Sequence, residues 1–164
     1  MSFKSHLCRL TRTHALAYQR ILQALEPMPN PQYFADQGLF FQSIHGTLNH
    51  MYLVDMLWIY RLKQERPPIQ VDSLDQQIFD NRDELASGLV QQAEAFHQWV
   101  EEQSDEFFDM EMRVKTLSLG EIFHKAGWLV ATMVNHGTHH RGQITAVLTQ
   151  KDYEFPPLDL PFYD

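Results

Sequence analysis

All eight prolines of this chain fall in three places: Pro27, Pro29 and Pro31, then Pro67 and Pro68, then Pro156, Pro157 and Pro161. Proline has no N–H to donate and its ring clashes with the preceding helical turn, so long regular helices are confined to the stretches between these groups. Those stretches carry apolar residues every three or four positions, the period of an amphipathic helix. The first helix is predicted from about Ser5 to Leu25, with Leu7, Leu10, Leu16, Ala17, Ile21 and Leu25 on its stripe. Pro31 and Gly38 mark the next stretch as a connection, and a second helix runs from about Gln42 to Gln64. Residues 69 to 73 read as a linker. Asp72 or Ser73 is the expected cap of a third helix, from about Leu74 to Glu102, with Leu74, Ile78, Leu85, Leu89, Ala93 and Phe96 turned inward. A fourth helix is expected from about Ala126 to Gln150.

One segment departs from the helical period. Phe108 to Val114 alternates apolar and charged residues, which predicts a strand that a turn near Gly120 pairs with Glu121 to His124. A rival reading takes Ser118 and Glu121 as a capping box that opens the last helix early. The expected class is all-α, with a short β-hairpin before the last helix. Its 164 residues form a single domain, 1–164, long enough to bury a sizeable core.

Charge narrows the function. Lys and Arg total 13, scattered along the chain, against 21 acidic residues, so the net charge of −8 argues against binding nucleic acid. No apolar run approaches a membrane span and the N-terminus lacks a signal-peptide pattern, so a cytoplasmic protein is expected. The one cysteine, Cys8, excludes an intramolecular disulfide and a Cys-rich zinc site.

The histidines carry the chemistry. On a helix turning about 100° per residue, His136 and His140 lie about 40° apart on the face shared with Leu129, Met133, Ile144 and Val147, while His139 falls towards its edge. Two inward imidazoles one turn apart can share one cation. With nine histidines in 164 residues the His-xxx-His spacing is a weak motif alone, and a buried histidine satisfied by a carbonyl or carboxylate is the competing explanation. The second helix supplies a third candidate. His50 lies in the middle of an apolar face with Leu53, Val54, Leu57 and Trp58, and small Gly46 and Thr47 leave room beside it. His45 falls on the opposite side and is expected in solvent. His14 is expected at the core or its edge, with ligation a minor alternative, and His97 has no partner that the sequence identifies.

These residues resemble the DinB/YfiT-like family of metal-binding four-helix bundles. The likeness rests on Ser43 to His50, Asp55 and Trp58 on the second helix, on Asn135 to Gln143 on the fourth, and on Pro157 to Leu160 in the tail. It implies a four-helix bundle with a crossing connection between the second and third helices, frequent homodimers, and a metal site of His50, His136 and His140. Three neutral imidazoles would leave a divalent ion its full charge and an open coordination position, the pattern of a catalytic site. Zinc and nickel are the leading ions, since all-nitrogen ligation does not choose between them. Gln143, Asn135 and Asn49 are candidates for holding the ligand rings. Asp55 lies about 140° from His50 on the wheel and is expected to pair with Arg141 instead. The resemblance implies a small-molecule substrate and either a thiol-dependent transferase, acting with a low-molecular-weight thiol, or a metal-dependent hydrolase. The competing class is a non-catalytic metal-binding or stress-related interaction protein. No glutamate stands beside the histidine pair as it does in His-Glu-x-x-His helices, which makes hydrolysis the less persuasive enzyme reading.

Overall fold

The computed structural model describes residues 2–117 and 120–163. Four long helices dominate it: α1 (Phe3–Leu25), α3 (Ile44–Leu62), α4 (Arg82–Glu102) and α6 (Ala126–Gln150). Between them lie a one-turn helix α2 (Asn30–Tyr33), a short α5 (Asp105–Asp109), and an antiparallel hairpin of β1 (Glu111–Thr116) and β2 (Gly120–Lys125). A 3-10 turn over Leu160–Tyr163 closes the described chain. Three of the four long helices start at a side-chain oxygen, whereas α6 starts after Lys125 without one. Ser2 accepts from the Ser5 N–H, Ser43 from Gly46, and Asn81 from Asp83 and Glu84, each satisfying donors that a first turn leaves orphaned.

The four long helices form a bundle in which α1 packs on α4 and α6, and α3 packs on the same two, so α1 and α3 stand diagonally. Side-chain pairs set their directions. Thr11 meets His97 and Arg82 reaches the Leu25 carbonyl, so α1 and α4 are antiparallel. Gly127 lies against Phe3 and Gly137 against His14, so α1 and α6 run parallel. Asn49, near the start of α3, accepts from the Ile78 and Phe79 N–H groups just before α4 begins. Residues 63–81 therefore travel back along α3, and α4 starts beside its N-terminal half. This is the crossing connection between the second and third long helices.

That strap corrects two expectations. The third long helix begins at Arg82, not Leu74, because the backbone groups of residues 74–79 are committed elsewhere: the Leu74 carbonyl to His50 and the Ile78 and Phe79 N–H groups to Asn49. Leu74 and Ile78 still turn inward, packing on Leu53, Met56 and Leu57, but from an irregular segment. The strap also covers the face of α3 expected to meet water. His45 is 1% exposed, its Nε2–H donates to the Phe79 carbonyl (2.9 Å), and Tyr33 and Phe34 pack edge-on or tilted against its ring.

The hairpin forms where alternation predicts it, with Met112 and Val114 buried and Glu111, Arg113 and Lys115 outward. Its first strand starts three residues later than Phe108, which is buried on α5. In the capping-box reading Ser118 lies outside the described residues, while Glu121 sits in β2 and α6 starts only at Ala126.

Two apolar clusters fill the bundle. One joins Ile21, Leu25, Leu48, Leu89 and Val147, and the other joins Leu7, Leu62, Phe96, Val130 and Met133. Truncating one such fully buried leucine to alanine removes roughly 2–5 kcal/mol. Between the clusters runs a belt of buried polar side chains. Asp55 Oδ2 accepts from Tyr18 Oη (2.6 Å) and from His14 Nε2–H (3.0 Å), while His14 Nδ1 accepts from Arg141 (3.3 Å). Asp55 and Arg141 are thus joined through the His14 ring, not in the direct pair expected from sequence. Gly137 makes room for this: a Cβ there would run into the His14 ring and stand 2.7 Å from the Arg141 guanidinium.

Candidate metal centre

His50 comes from α3, and His136 and His140 from successive turns of α6. His136 Nε2 lies 3.1 Å from His50 Nε2 and 3.1 Å from His140 Nε2. One donor atom from each ring can be chosen so that all lie within 4.8 Å of one another. At that spacing either a ring proton or a cation must separate each pair of lone pairs.

The other ring nitrogens decide the tautomers. His50 Nδ1–H donates to the Leu74 carbonyl (2.8 Å), and His140 Nδ1–H donates to Gln143 Oε1 (2.7 Å). Both Nε2 atoms then present bare lone pairs. One proton on His136 Nε2 serves one of its neighbours, whereas a cation serves all three. These assignments follow from the hydrogen-bond network.

The environment keeps the rings neutral. Burial lowers the pKa of His50, and burial together with neighbouring histidines draws His136 and His140 down to about 4. Neutral imidazole is the form that binds a metal. The shift also has a sign for stability. The folded values of His136 and His140 lie below their ordinary 6.5, so the unfolded chain binds more protons between those limits. The metal-free protein is therefore expected to lose stability as the pH falls through that window, and to level off below it. Urea midpoints of chelator-treated protein measured from about pH 7 to about pH 4 test this. The His136→Ala/His140→Ala double variant should show a flatter profile, and an unchanged slope would show that the protons bind elsewhere.

Several contacts that build the centre had no sequence signal. The Phe41 ring stacks on His50 at 3.8 Å between centroids with 18° between planes. Gly46 permits it, because a Cβ there would collide with the Phe41 carbonyl oxygen. The Leu74 carbonyl is likewise a long-range partner. Of the three proposed supports, Gln143 touches a ring directly. Asn49 acts one step away, holding the strap that carries Leu74, and Asn135 is exposed on α6. Three of the remaining six histidines have buried partners: His14 the buried belt, His45 the strap, and His97 the Thr11 hydroxyl (3.1 Å), while His6, His124 and His139 are exposed.

One side of the centre opens into a cavity of about 340 Å³ between α3, α6 and the hairpin. Val54, Leu57, Trp58, Ile122 and Trp128 make its lining mainly apolar, with His50 and His136 among the wall residues. No Asp or Glu lines it among the described residues.

Comparison with known proteins identifies the family and the fold. The model of the DinB family matches residues 1–164. The chain belongs to the DinB family. It is 28% identical over 171 residues to Protein DinB of Bacillus subtilis (strain 168), an alignment covering 94% of this chain and 91% of that one. Among solved structures it matches YfiT from Bacillus subtilis, described as a probable metal-dependent hydrolase with an unusual four-helix bundle topology. The TM-score is 0.69 at 13% identity, over 92% of this chain and 89% of that one. At that identity the likeness is one of fold.

Proposed function

We propose that this DinB-family protein is a metal-dependent enzyme whose His50, His136 and His140 hold a divalent cation, zinc or nickel, and which acts on a small thiol. The observation that carries the reading is the convergence of three neutral imidazoles at the edge of an apolar cavity. A divalent ion held there would acidify a thiol or water and polarise a carbonyl. The chain's own residues do the rest. Leu74 and Gln143 fix two ring tautomers, Phe41 and the strap shield His50 from water, and the cavity walls orient what enters. A volume of about 340 Å³ lies within the range of small-ligand sites.

The lining favours thiol transfer over hydrolysis. Attack by water calls for a general base within hydrogen-bond reach of it, and among the described residues the walls offer only exposed His124 besides the proposed ligands themselves. A thiol carries its own acidic proton and has less need of such a group. The test is an assay of zinc-loaded and nickel-loaded protein with a low-molecular-weight thiol and electrophilic acceptors, beside a panel of esters and amides. Thiol-dependent consumption of the acceptor is expected. Turnover of esters or amides alone would make the protein a hydrolase, and no turnover above the metal-free protein would make it a non-catalytic metal-binding module.

A further inference from the structure

The cavity beside the metal centre has a second polar end. His50, Val54, Leu57, Trp58 and Arg61 all line it, and on a wheel turning about 100° per residue they fall within about 100° of arc, with Arg61 only about 20° from His50. His50 and Arg61 are three turns apart, about 16 Å along the axis of α3. The stripe thus reads as imidazole, apolar wall, then guanidinium.

Arg61 is held without being neutralised. Its Nε–H donates to the Lys115 carbonyl of β1 (3.1 Å), and its guanidinium carbon sits 4.9 Å from the centre of the Trp58 ring. These contacts fix the plane of the fork and leave the edge bearing Nη1 and Nη2 without an acceptor among the described residues. No carboxylate there pairs with it either, in a chain where acidic residues outnumber basic ones 21 to 13. Arginine stays protonated near neutral pH even when half-buried. Its planar pair of N–H groups matches the two oxygens of a carboxylate.

Apolar side chains around the same cavity are left in water. Trp128 is 61% exposed and Leu117 is 53% exposed, yet both line it. An exposed apolar rim around a polar anchor is the pattern of a binding site.

We propose that Arg61 is a specificity residue that captures the carboxylate of an extended, largely apolar ligand whose other end reaches the three histidines. This rests on the metal-dependent function proposed for the histidine end alone; the arginine end stands on its own contacts. The ligand class is an amphipathic carboxylate with an apolar middle spanning on the order of 10 Å, set by the helical rise between the two ends less the reach of their side chains.

Four probes separate the two ends: octanoate, octanol, ω-mercaptooctanoate and ω-mercaptooctanol, titrated into zinc-supplemented protein and followed by the fluorescence of Trp58 and Trp128. Each acid is expected to bind on the order of tenfold or more tightly than its alcohol, from one charge-assisted contact. Arg61→Gln should remove that preference and Arg61→Lys should keep part of it, with both variants checked for native circular dichroism. If Arg61→Gln disturbs the hairpin, Arg61→Lys still decides the matter, because a point charge in place of the fork must narrow the preference. An acid preference equal in all three proteins, no preference in the unaltered protein, or no binding of any probe would overturn the proposal. A thiol that adds nothing to either partner, with the acid preference intact, would instead remove the metal reading and leave Arg61 standing.

Discussion

His136→Ala is expected to leave the protein without a bound divalent cation. Of the three rings, His136 stands between the others, its Nε2 3.1 Å from both. Removing it leaves two imidazoles, one on each helix, with no third ring between them. Loss of an outer partner of a ligand typically weakens a metal site 10–100-fold, so loss of the central ligand should exceed about 100-fold. Metal analysis of protein purified without supplementation, followed by zinc titration against a chromogenic chelator, measures this. His50→Ala and His140→Ala should behave alike. His139→Ala and His97→Ala are controls expected to retain the ion, because His139 is exposed and His97 is bonded to Thr11 on α1. His45→Ala should also retain it while lowering stability, since it removes a buried partner of the Phe79 carbonyl. Equal metal content in all six variants would mean that the histidine cluster is not the site.

Asp55→Ala is expected to be among the most destabilising single substitutions, and through the fold rather than the metal. The carboxylate is 1% exposed and accepts from both Tyr18 Oη and His14 Nε2–H, while Arg141, 5% exposed, donates to the far side of the His14 ring. Without Asp55, the tyrosine hydroxyl and the imidazole N–H lose their acceptor and the guanidinium loses its nearby counter-charge inside the bundle. Breaking a buried charged arrangement from one side costs about 3–5 kcal/mol, which for a domain of this size lowers the melting temperature by about 10 °C. A thermal melt reads it directly. Asp55→Asn keeps the shape and one acceptor oxygen, so it should lose less. A shift of about 2 °C or smaller for the alanine variant would show that solvent reaches this belt and that its charges are screened.

The three rings are recognisable from the residues alone, because which side chains share a helical face is a local property set by 3.6 residues per turn. That rule turns His136 and His140 inward together and puts His50 in the apolar stripe of its own helix. It also marks the hairpin, since alternation has its own period in the residues of β1. The same rule fails at His45, whose exposure depends on what lies across from it. It fails again at the start of α4, where an apolar period continues through Leu74 and Ile78 although their backbone is engaged by α3. Asp55 is placed on the correct side of its helix, away from His50, and given the wrong direct partner, because a wheel supplies a direction and no depth.

By itself, then, the order of residues settled the four long helices, the prolines that separate them and the faces on which the candidate ligands lie, all consequences of contacts within a few positions along the chain. Only the tertiary structure decided that residues 63–81 double back along α3, bringing the Leu74 carbonyl to His50, burying His45 and setting α4 parallel to α3. It also decided that Phe41 stacks on the candidate ligand His50, and that Arg61 shares the cavity wall with His50 and His136. The reason is physical: a helical period repeats every few residues and is written locally, whereas a carbonyl, an aromatic ring or a strap finds its partner through packing across tens of residues.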